Sequence, residues 1–183
     1  MHEDIAQTIA KLRRSSTASI STMLFKRGLR NVAMRGLRCV SGAAGTMAGE
    51  AFTVRSIPSR EDLDTVEILR SSEHPQRKAF PPGRVLVADS RGETYAAFGG
   101  GILIARLAAR GAAGMVSDGS VRDLAEVSGF GFPVFCAGAA PPLSLARHHA
   151  VDVDVPIGCG GVAVFPGDIV VGFKKGAAIV HAG

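Results

Sequence analysis

The chain has 183 residues, a length that fits one domain (1–183) able to bury about 70% of its unfolded surface. Hydrophobic residues make up 46% of the chain and charged residues 20%, which excludes an intrinsically disordered protein. The net charge is +5, and the positive surplus lies between Asp4 and Glu50, a stretch that contains lysines and arginines and no acidic residue.

This basic N-terminal stretch allows two interpretations. A cluster of Lys and Arg is typical of a surface for nucleic acid or for another acidic partner. The chain has no Trp and one Tyr, however, so the aromatic platform on which bases usually stack is missing. We therefore favour a solvated helical face with some arginines at a subunit contact, and expect no nucleic-acid partner.

The sequence also predicts the compartment. The uncharged run from Val127 to Ala146 contains three glycines and three prolines, so it does not form a membrane-spanning helix. The N-terminus has no signal-peptide pattern, so we expect a soluble cytoplasmic protein with no membrane partner. Cys39, Cys136 and Cys159 lack the spacing of metal ligands and are expected to be buried free thiols.

The first half of the chain predicts two helices, a strand, a helix and a second strand, in that order. Ile5 to Arg14 has the periodicity of an amphipathic helix, and "STASISTMLFKRGLR" begins with good capping hydroxyls and is interrupted at Gly28. "GTMAGEAFTVRSI" is predicted to be a strand and "EDLDTVEILRSS" a helix. "GRVLVADS" is a short apolar run that suits a buried strand ending at Asp89.

The second half changes character after Ala150. A helix from Ile102 to Arg110, the strand "AAGMVSD", a short helix from Leu124 to Val127 and the strand "FPVFCAG" complete a β-α-β-α-β pattern, which favours parallel strands. Beyond Ala150, short apolar runs separated by Gly and Pro-Gly-Asp turns predict an antiparallel or barrel-like portion. The predicted fold class is therefore α/β, with one mixed sheet.

Three features in the segment from Gly99 to Glu126 carry the functional argument. Gly99, Gly100 and Gly101 precede Ile102 at the start of a predicted helix, where backbone amides can bind a carboxylate or phosphate. Arg122 follows a strand that ends in Asp-Gly, and ligands of open α/β sheets gather beyond such strand ends. A guanidinium there can bind a carboxylate through two parallel hydrogen bonds.

The third feature is Asp123, which could hold a hard divalent cation such as Mg²⁺ or Mn²⁺. Glu126, one helical turn later, could orient water on that cation or balance the charge of the helix start. An isolated Arg-Asp pair more often has a structural role on the surface. The glycine segment is a second anion-binding element, and the two together favour a functional site.

The sequence of this segment, "GGGILIARLAARGAAGMVSDGSVRDLAE", resembles the signature of RraA-like proteins. That family includes the 4-hydroxy-4-methyl-2-oxoglutarate/4-carboxy-4-hydroxy-2-oxoadipate aldolases. The likeness extends along nearly the whole chain, through "TASISTMLFKRGLRN", "GTMAGEAFTVR", "GRVLVADSRGET", "GFPVFCAG" and "GGVAVFPGDIVV". It implies a swivelling β/β/α domain similar to the phosphohistidine domain, assembled as homotrimers or homohexamers with sites at subunit interfaces.

The resemblance also implies an activity, that of divalent-metal-dependent pyruvate aldolases which also decarboxylate oxaloacetate. Carried over by position, Arg122 would bind the small 2-oxo acid substrate and Asp123 would hold Mg²⁺. The amides of Gly99, Gly100, Gly101 and Ile102 would bind the pyruvyl carboxylate. No lysine falls within the segment, which argues against a Schiff-base route.

The chain departs from the aldolase pattern at two places. Aldolases carry an acid at the position of Gly101, so a water-mediated role for Asp118 or Glu126 would have to replace it. Near the C-terminus the chain reads "GFKKG" where relatives commonly have an acidic turn, and it stops at Gly183 without the helix that helps complete a neighbouring subunit's site. The resemblance thus predicts an open or incomplete pocket.

The remaining polar residues are weaker candidates. His74, His148 and His149 are expected to be solvated, the last two at a helix end, in preference to acting as bases or metal ligands. Asp89 either faces a ligand or caps the turn that follows it. Two alternatives to the lyase stay open: a non-catalytic RraA-type regulator that binds a ribonuclease, and an inactive oligomeric paralogue.

Overall fold

The computed structural model describes residues 4–42, 46–71, 80–173 and 176–181. The helices are α1 (Ile5–Leu12), α2 (Thr17–Lys26), α3 (Val66–Arg70), α4 (Gly101–Ala109) and α5 (Leu124–Gly129). The strands are β1 (Arg38–Cys39), β2 (Met47–Ile57), β3 (Val85–Asp89), β4 (Ala97–Gly99), β5 (Gly114–Ser117), β6 (Ser120–Val121), β7 (Val134–Cys136), β8 (Gly138–Ala139), β9 (His149–Val153), β10 (Ile157–Cys159), β11 (Val162–Val164), β12 (Ile169–Phe173) and β13 (Gly176–Val180).

The predicted N-terminal helices are confirmed, and their starts are capped as the sequence indicates. Asp4 accepts a hydrogen bond from the amide of Ala6 at the head of α1, at 3.2 Å. The Ser16 hydroxyl accepts from the amide of Ser19 at the head of α2, at 3.1 Å. These side chains satisfy amide donors that a helix start leaves without partners.

The predicted helix over 61–72 is shorter in the structure, where α3 covers only Val66–Arg70. The Asp64 carboxylate accepts from the amide of Arg60 at 2.6 Å, which holds the preceding residues in a turn. Thr65 then caps α3 by accepting from the amide of Ile68 at 3.3 Å. Local side-chain bonds to the backbone therefore replaced the first helical turn.

The main sheet is mixed and curls into a nearly closed barrel, as predicted for this fold class. Its strand order is β1-β7-β5-β3-β2-β12-β13, with β9 also paired to β2. The long strand β2 joins the two halves, because it pairs parallel with β3 and antiparallel with both β12 and β9. Strands β3, β5 and β7 are parallel neighbours, which confirms the β-α-β-α-β prediction.

The antiparallel portion after Ala150 is also confirmed. Strands β12 and β13 form one antiparallel pair, and β10 and β11 form another. Gly160 and Gly161, with φ of 58° and 78°, lie between β10 and β11 and make the tight hairpin that requires positive φ at both central residues.

The core lies on both faces of the sheet. Val87, Val116 and Phe135 face the barrel interior, whereas Leu86, Met115 and Val134 pack with α4 and α5 on the outer face. A third cluster lies under α2, around Ile20 and Leu24. Side chains alternate between these faces because strand residues point in opposite directions in turn.

Three short parallel strands, β4, β6 and β8, form a separate sheet that the sequence did not indicate. Each has only two or three residues, too few to produce a recognisable alternation. This small sheet matters for function because β4 ends at Gly99 and β6 ends at Val121, immediately before the predicted site residues.

The structure corrects the expected helix around His148 and His149. A single 3-10 turn, Ser144–Ala146, stands there, and β9 begins at His149. Across the described ranges, helices long and apolar enough to span a bilayer are absent.

Candidate functional site

The glycine segment forms the start of a helix, as predicted. Strand β4 ends at Gly99, Gly100 occupies the N-cap position without a side-chain bond, and α4 begins at Gly101. The predicted helix from Ile102 to Arg110 is therefore confirmed within one residue at each end. The amides of the first helical turn point out of the helix end, where they attract negative charge.

Arg122 and Asp123 form the turn between β6 and α5, directly beside this helix start. The amide of Arg122 donates to the carbonyl of Gly99 at 2.9 Å. The Asp123 Oδ2 accepts from the amide of Gly101 at 3.2 Å and lies 3.9 Å from the Arg122 Nε. The segments that the sequence singled out, 21 residues apart at Gly101 and Arg122, thus contact each other through backbone and side chain.

Side chains of α5 and of the turn before it closely approach the backbone of Gly100 and Gly101. A Cβ on Gly100 would lie 2.6 Å from Asp123 Oδ2 and 3.1 Å from Arg122 Cβ. A Cβ on Gly101 would lie 2.6 Å from Glu126 Oε2. The carboxylates of Asp123 and Glu126 therefore lie against the glycine backbone, in space that a side chain would otherwise fill.

The start of α4 and the Arg122–Asp123 pair border a cleft of about 400 Å³. Gly99, Gly100, Ile102, Arg122 and Asp123 line it, whereas Gly101 does not, its amide being directed to Asp123. A second cavity of about 350 Å³ shares Arg122 and Asp123 and is otherwise walled by small apolar residues of the β6 and β8 region. The Arg-Asp pair therefore borders open space on two sides.

The larger cleft is also lined by residues that the sequence did not single out. They are an apolar set and two arginines: Val66, Leu69, Leu103, Leu143, Arg70 and Arg106. The helical spacing of Ile102, Leu103 and Arg106 on one face of α4 could have indicated Arg106. Arg70 belongs to α3, whose place at the cleft follows from tertiary structure and has no local sequence signal.

The donor set beside Gly101 fits a hard divalent cation. Asp123 and Glu126 supply carboxylate oxygens, and Mg²⁺ is usually bound by one or two carboxylates while keeping several waters. Within the ranges that the structure describes, no group of three or more His, Cys, Asp and Glu residues could hold a metal. Asp123 and Glu126 could therefore supply one or two carboxylate ligands, fewer than the ligand set of a structural zinc centre.

The structure separates the two acids considered as replacements for an acid at position 101. Asp118 Oδ1 accepts from the amide of Ser90 at 2.7 Å and Oδ2 from the amide of Gly160 at 3.4 Å. Asp118 thus joins three loops and is not among the residues that line either cavity. Glu126 lies against Gly101 at the start of α4 and, like Asp118, is not among the residues that line either cavity.

Asp89 caps a turn: its Oδ1 accepts from the amide of Arg91 at 2.9 Å. Burial, followed by the nearby Asp118 charge, raises the pKa of the Asp89 carboxyl. The three cysteines are free, with Cys136 and Cys159 buried and Cys39 partly buried, as expected.

The histidines are not solvated as expected. His148 is 3% exposed, with Nε2 3.2 Å from the carbonyl of Ala96, and His149 pairs with the buried Asp64 at 2.6 Å. Both have structural partners and neither is among the residues that line the cleft. His74, Lys174 and Lys175, which the sequence also raised, lie outside the described residues.

The sequence and the fold are similar to those of known proteins of one family. The family model RraA-like, described as Aldolase/RraA, matches residues 17–179. A protein of Halalkalibacterium halodurans is 28% identical over 153 residues, covering 79% of this chain and 72% of its own. A protein of Xanthomonas campestris is 36% identical over 126 residues, covering 69% of each chain. Both carry the name "putative 4-hydroxy-4-methyl-2-oxoglutarate aldolase".

Among solved structures, Streptomyces coelicolor RraAS2 is similar, and it is described as an unusual member of the RNase ES inhibitor RraA protein family. The match has a TM-score of 0.82 at 30% identity and covers 100% of this chain and 87% of that one. Because the family model spans most of the sequence and the fold agrees along its whole length, the chain belongs to the RraA-like family.

Proposed function

We propose that the cleft is the active site of a divalent-metal-dependent carbon–carbon lyase that releases pyruvate from a small 2-oxo acid. One observation carries the proposal: the α4 start, the Arg122 guanidinium and the Asp123 carboxylate border the same cleft. The relatives named as aldolases support the same reaction class.

In this proposal the pyruvyl end of the substrate binds at the glycine segment. Its carboxylate accepts hydrogen bonds from free amides of the first turn of α4 and from Arg122. The Gly101 amide is not part of this set, because it donates to Asp123. That bond fixes the orientation of the Asp123 carboxylate relative to the helix start.

Breaking the bond between C3 and C4 leaves its electron pair on C3, as a pyruvate enolate. The oxygen at C2 becomes negative in this step, and in this proposal the Arg122 guanidinium stabilises that charge. A preorganised donor of this kind contributes roughly 3–4 kcal/mol, or about 10²–10³ in rate. A divalent cation held by Asp123 would add Lewis-acid stabilisation of the same charge.

Proton handling is assigned to Glu126. In aldol cleavage the C4 hydroxyl loses its proton as C3–C4 breaks, and C3 then gains a proton to give pyruvate. In decarboxylation of oxaloacetate, CO₂ leaves and only the protonation of C3 remains. The Glu126 carboxylate lies against Gly101 and can act on either proton through a water molecule. Lysine is absent from the described lining residues, so the proposal includes no Schiff base.

The test is pyruvate release from oxaloacetate and from 4-hydroxy-4-methyl-2-oxoglutarate, with Mg²⁺ and with EDTA. We expect Arg122→Gln and Asp123→Asn to lower kcat/KM at least about 10²-fold, because each removes charge stabilisation of the enolate. Activity that survives EDTA and both substitutions would overturn the proposal.

The glycine segment is tested separately with Gly100→Ala. The added Cβ would lie 2.6 Å from Asp123 Oδ2, so the carboxylate must move away from the Gly101 amide. We expect a large loss of kcat/KM with unchanged unfolding behaviour. Gly129→Ala is the matched control, since its Cβ would meet no atom within 4 Å.

A non-catalytic regulator is the second candidate, favoured by the similarity to RraAS2, whose description names an RNase ES inhibitor family. Capture of a purified RNase E-type ribonuclease by this chain, with inhibition of RNA cleavage and without turnover of any 2-oxo acid, would favour it. The retained Asp123 and Glu126 beside the glycine segment favour the lyase.

A further inference from the structure

The end of α2 exposes apolar and cationic side chains together. Of residues 22–30, all of which the structure describes, Leu24 alone is buried, and it packs in the cluster under α2. Three apolar side chains here are exposed, Met23 by 53%, Phe25 by 61% and Leu29 by 37%. Three cations lie among them, and we call the whole set the α2 patch: Met23, Phe25, Lys26, Arg27, Leu29 and Arg30.

The backbone of the α2 patch is fixed by the hydrogen bonds that end the helix. The amide of Gly28, whose φ is 87°, donates to the carbonyl of Phe25 at 2.9 Å. The amide of Leu29 donates to the carbonyl of Leu24 at 3.0 Å. These are the two bonds of a Schellman motif, which satisfies carbonyls that a helix end leaves without partners. A docking partner therefore does not have to order this backbone.

The cations of the α2 patch are available to an external anion. Within the parts of the chain that the structure describes, Lys26, Arg27 and Arg30 form no ion pair with an acid. The Arg30 guanidinium lies over the Phe25 ring, 5.7 Å from its centre. This contact uses the flat face of the guanidinium and leaves its N–H groups, which lie in its plane, able to bind a carboxylate.

The residue types of the α2 patch are those of protein–protein interfaces. Phe, Met and Arg are enriched in the cores of such interfaces, and aromatic and arginine side chains carry much of their binding energy. Cations at a helix end also favour the helix dipole, but that role does not account for three exposed apolar side chains. A partner that fits supplies carboxylates for the cations and apolar side chains for Met23, Phe25 and Leu29.

Other partners fit the α2 patch less well. A nucleic acid is bound through many phosphate contacts, and this patch offers three cations with aliphatic side chains among them. A helix that binds a membrane surface has one continuous apolar face, whereas Lys26 lies between Met23 and Phe25 around α2. Two copies of the patch would repel each other, because both carry the same charge.

We propose that the α2 patch is a docking surface for a segment of another protein that combines Asp or Glu with Leu or Phe. The carboxylates of that segment bind Lys26, Arg27 and Arg30, and its apolar side chains cover the Phe25 ring and the apolar side chains around it. The inference is independent of the reaction proposed for the cleft, because no residue of the patch is among the described residues that line the cleft.

The experiment measures the binding of two synthetic peptides to the full chain by fluorescence anisotropy. The first peptide repeats Glu-Leu-Asp-Phe, and the second has the same charges with Ser in place of Leu and Phe. We expect the first to bind at least about tenfold more tightly, because burial of one large apolar side chain contributes that much. Equal affinity for the two peptides, or binding of neither, overturns the proposal.

Variants locate the bound peptide. Phe25→Ala should remove most of the preference for the apolar peptide, and Arg27→Gln combined with Arg30→Gln should weaken both peptides at least about tenfold. Tyr95→Ala and Arg147→Gln are the matched controls, because Tyr95 is also 61% exposed and has the Arg147 guanidinium 5.0 Å over its ring. Both controls should leave the two affinities unchanged. An unchanged preference in Phe25→Ala shows that the peptide binds elsewhere and overturns the proposal.

Further outcomes assign the α2 patch to a different partner. Single-stranded oligouridylate or phosphatidylglycerol vesicles that bind more tightly than the apolar peptide, and lose this binding in Phe25→Ala, overturn the proposal in favour of nucleic acid or membrane. A change of oligomeric mass in Phe25→Ala, measured by light scattering, overturns it in favour of a contact between copies of this chain. The expected peptide preference in a protein that releases no pyruvate supports the docking surface and counts against the lyase alone.

Discussion

The backbone of Asp123 is as unusual as its position. Its φ of 58° and ψ of 39° lie in the left-handed region, which few residues other than glycine adopt. Asp and Asn tolerate this conformation better than other side chains because their short polar groups bond locally. This conformation directs the Asp123 carboxylate toward the Gly101 amide. The strained backbone therefore places a side chain of the candidate site.

This backbone conformation gives a prediction about stability. Asp123→Asn should leave the free energy of unfolding nearly unchanged, whereas Asp123→Ala should lower it by about 1–2 kcal/mol, because alanine pays the full left-handed penalty. Asp123→Gly should be at least as stable as Asp123→Ala. Urea unfolding of the three variants measures the differences, and equal stability of the Ala and Asn variants would contradict the prediction.

At the scale of elements, the segment between β8 and β9 positions one wall of the cleft. Leu143 and Ser144 line the cleft, and the amide of His148 donates to the carbonyl of Ser144 at 2.7 Å. The His148 ring then reaches Ala96, next to β4, through Nε2 at 3.2 Å. Because a carbonyl only accepts, Nε2 carries the proton, and Nδ1 is buried without a partner in the described structure.

The burial of His148 predicts a loss of stability in acid. Burial, the larger cause, and the nearby Arg91 lower the pKa of His148, although the bond to Ala96 opposes the shift. The unfolded chain then takes up a proton first as the pH falls below about 6.5, so this contribution to stability is present above that pH and is lost below it. His148→Gln keeps a donor for Ala96 and removes the titration.

The measurement is urea unfolding between pH 7.5 and 5, values chosen to bracket the pKa of a histidine in an unfolded chain at about 6.5. The unmodified protein should lose stability over this interval more steeply than His148→Gln. Parallel pH profiles for the two proteins would show that His148 titrates in the folded state as it does in the unfolded chain. Both proteins share every other titrating group, so a difference between their pH profiles reports on His148.

At the scale of the whole molecule, the cysteines report how well the core excludes water. Cys136 is 0% exposed on strand β7, and burial raises the pKa of its thiol to about 11. Burial also raises the pKa of Cys159 on β10. Both thiols remain protonated at neutral pH and therefore unreactive.

The raised pKa values of these two thiols predict a loss of stability at alkaline pH. Unfolded cysteine ionises first, so stability falls as the pH rises from about 9 toward the folded pKa of about 11 at Cys136. A difference of two pKa units corresponds to about 2.7 kcal/mol. Cys136→Ala should be less stable at pH 7 yet should lose less stability between pH 8 and 11 in urea unfolding, values chosen to bracket that range. An equal loss in both proteins would contradict the prediction.

The sequence predicted the elements whose periodicity is long enough to be distinctive. The parallel strands, α1, α2, α4 and the antiparallel C-terminal portion all follow from apolar spacing and turn residues. The small β4-β6-β8 sheet did not, since its strands have at most three residues. The burial of His148 also did not, because it depends on packing against Ala96, 52 residues away in sequence.

Some residues of the candidate site could likewise be predicted from the sequence, and others could not. Gly99, Gly100, Arg122 and Asp123 could be predicted because glycines before a helix and charges after a strand have a local chemical meaning. Arg70 could not, because only the tertiary placement of α3 brings it to the cleft. Whether these residues catalyse a reaction stays a prediction that the kinetic variants decide.

The Glu126 carboxylate occupies the space beside Gly101 that a side chain at that position would enter. A Cβ introduced at 101 would lie 2.6 Å from Glu126 Oε2, so a side chain there would require the Glu126 carboxylate to turn away. An acid at position 101 and the acid at position 126 therefore compete for the same space beside the start of α4.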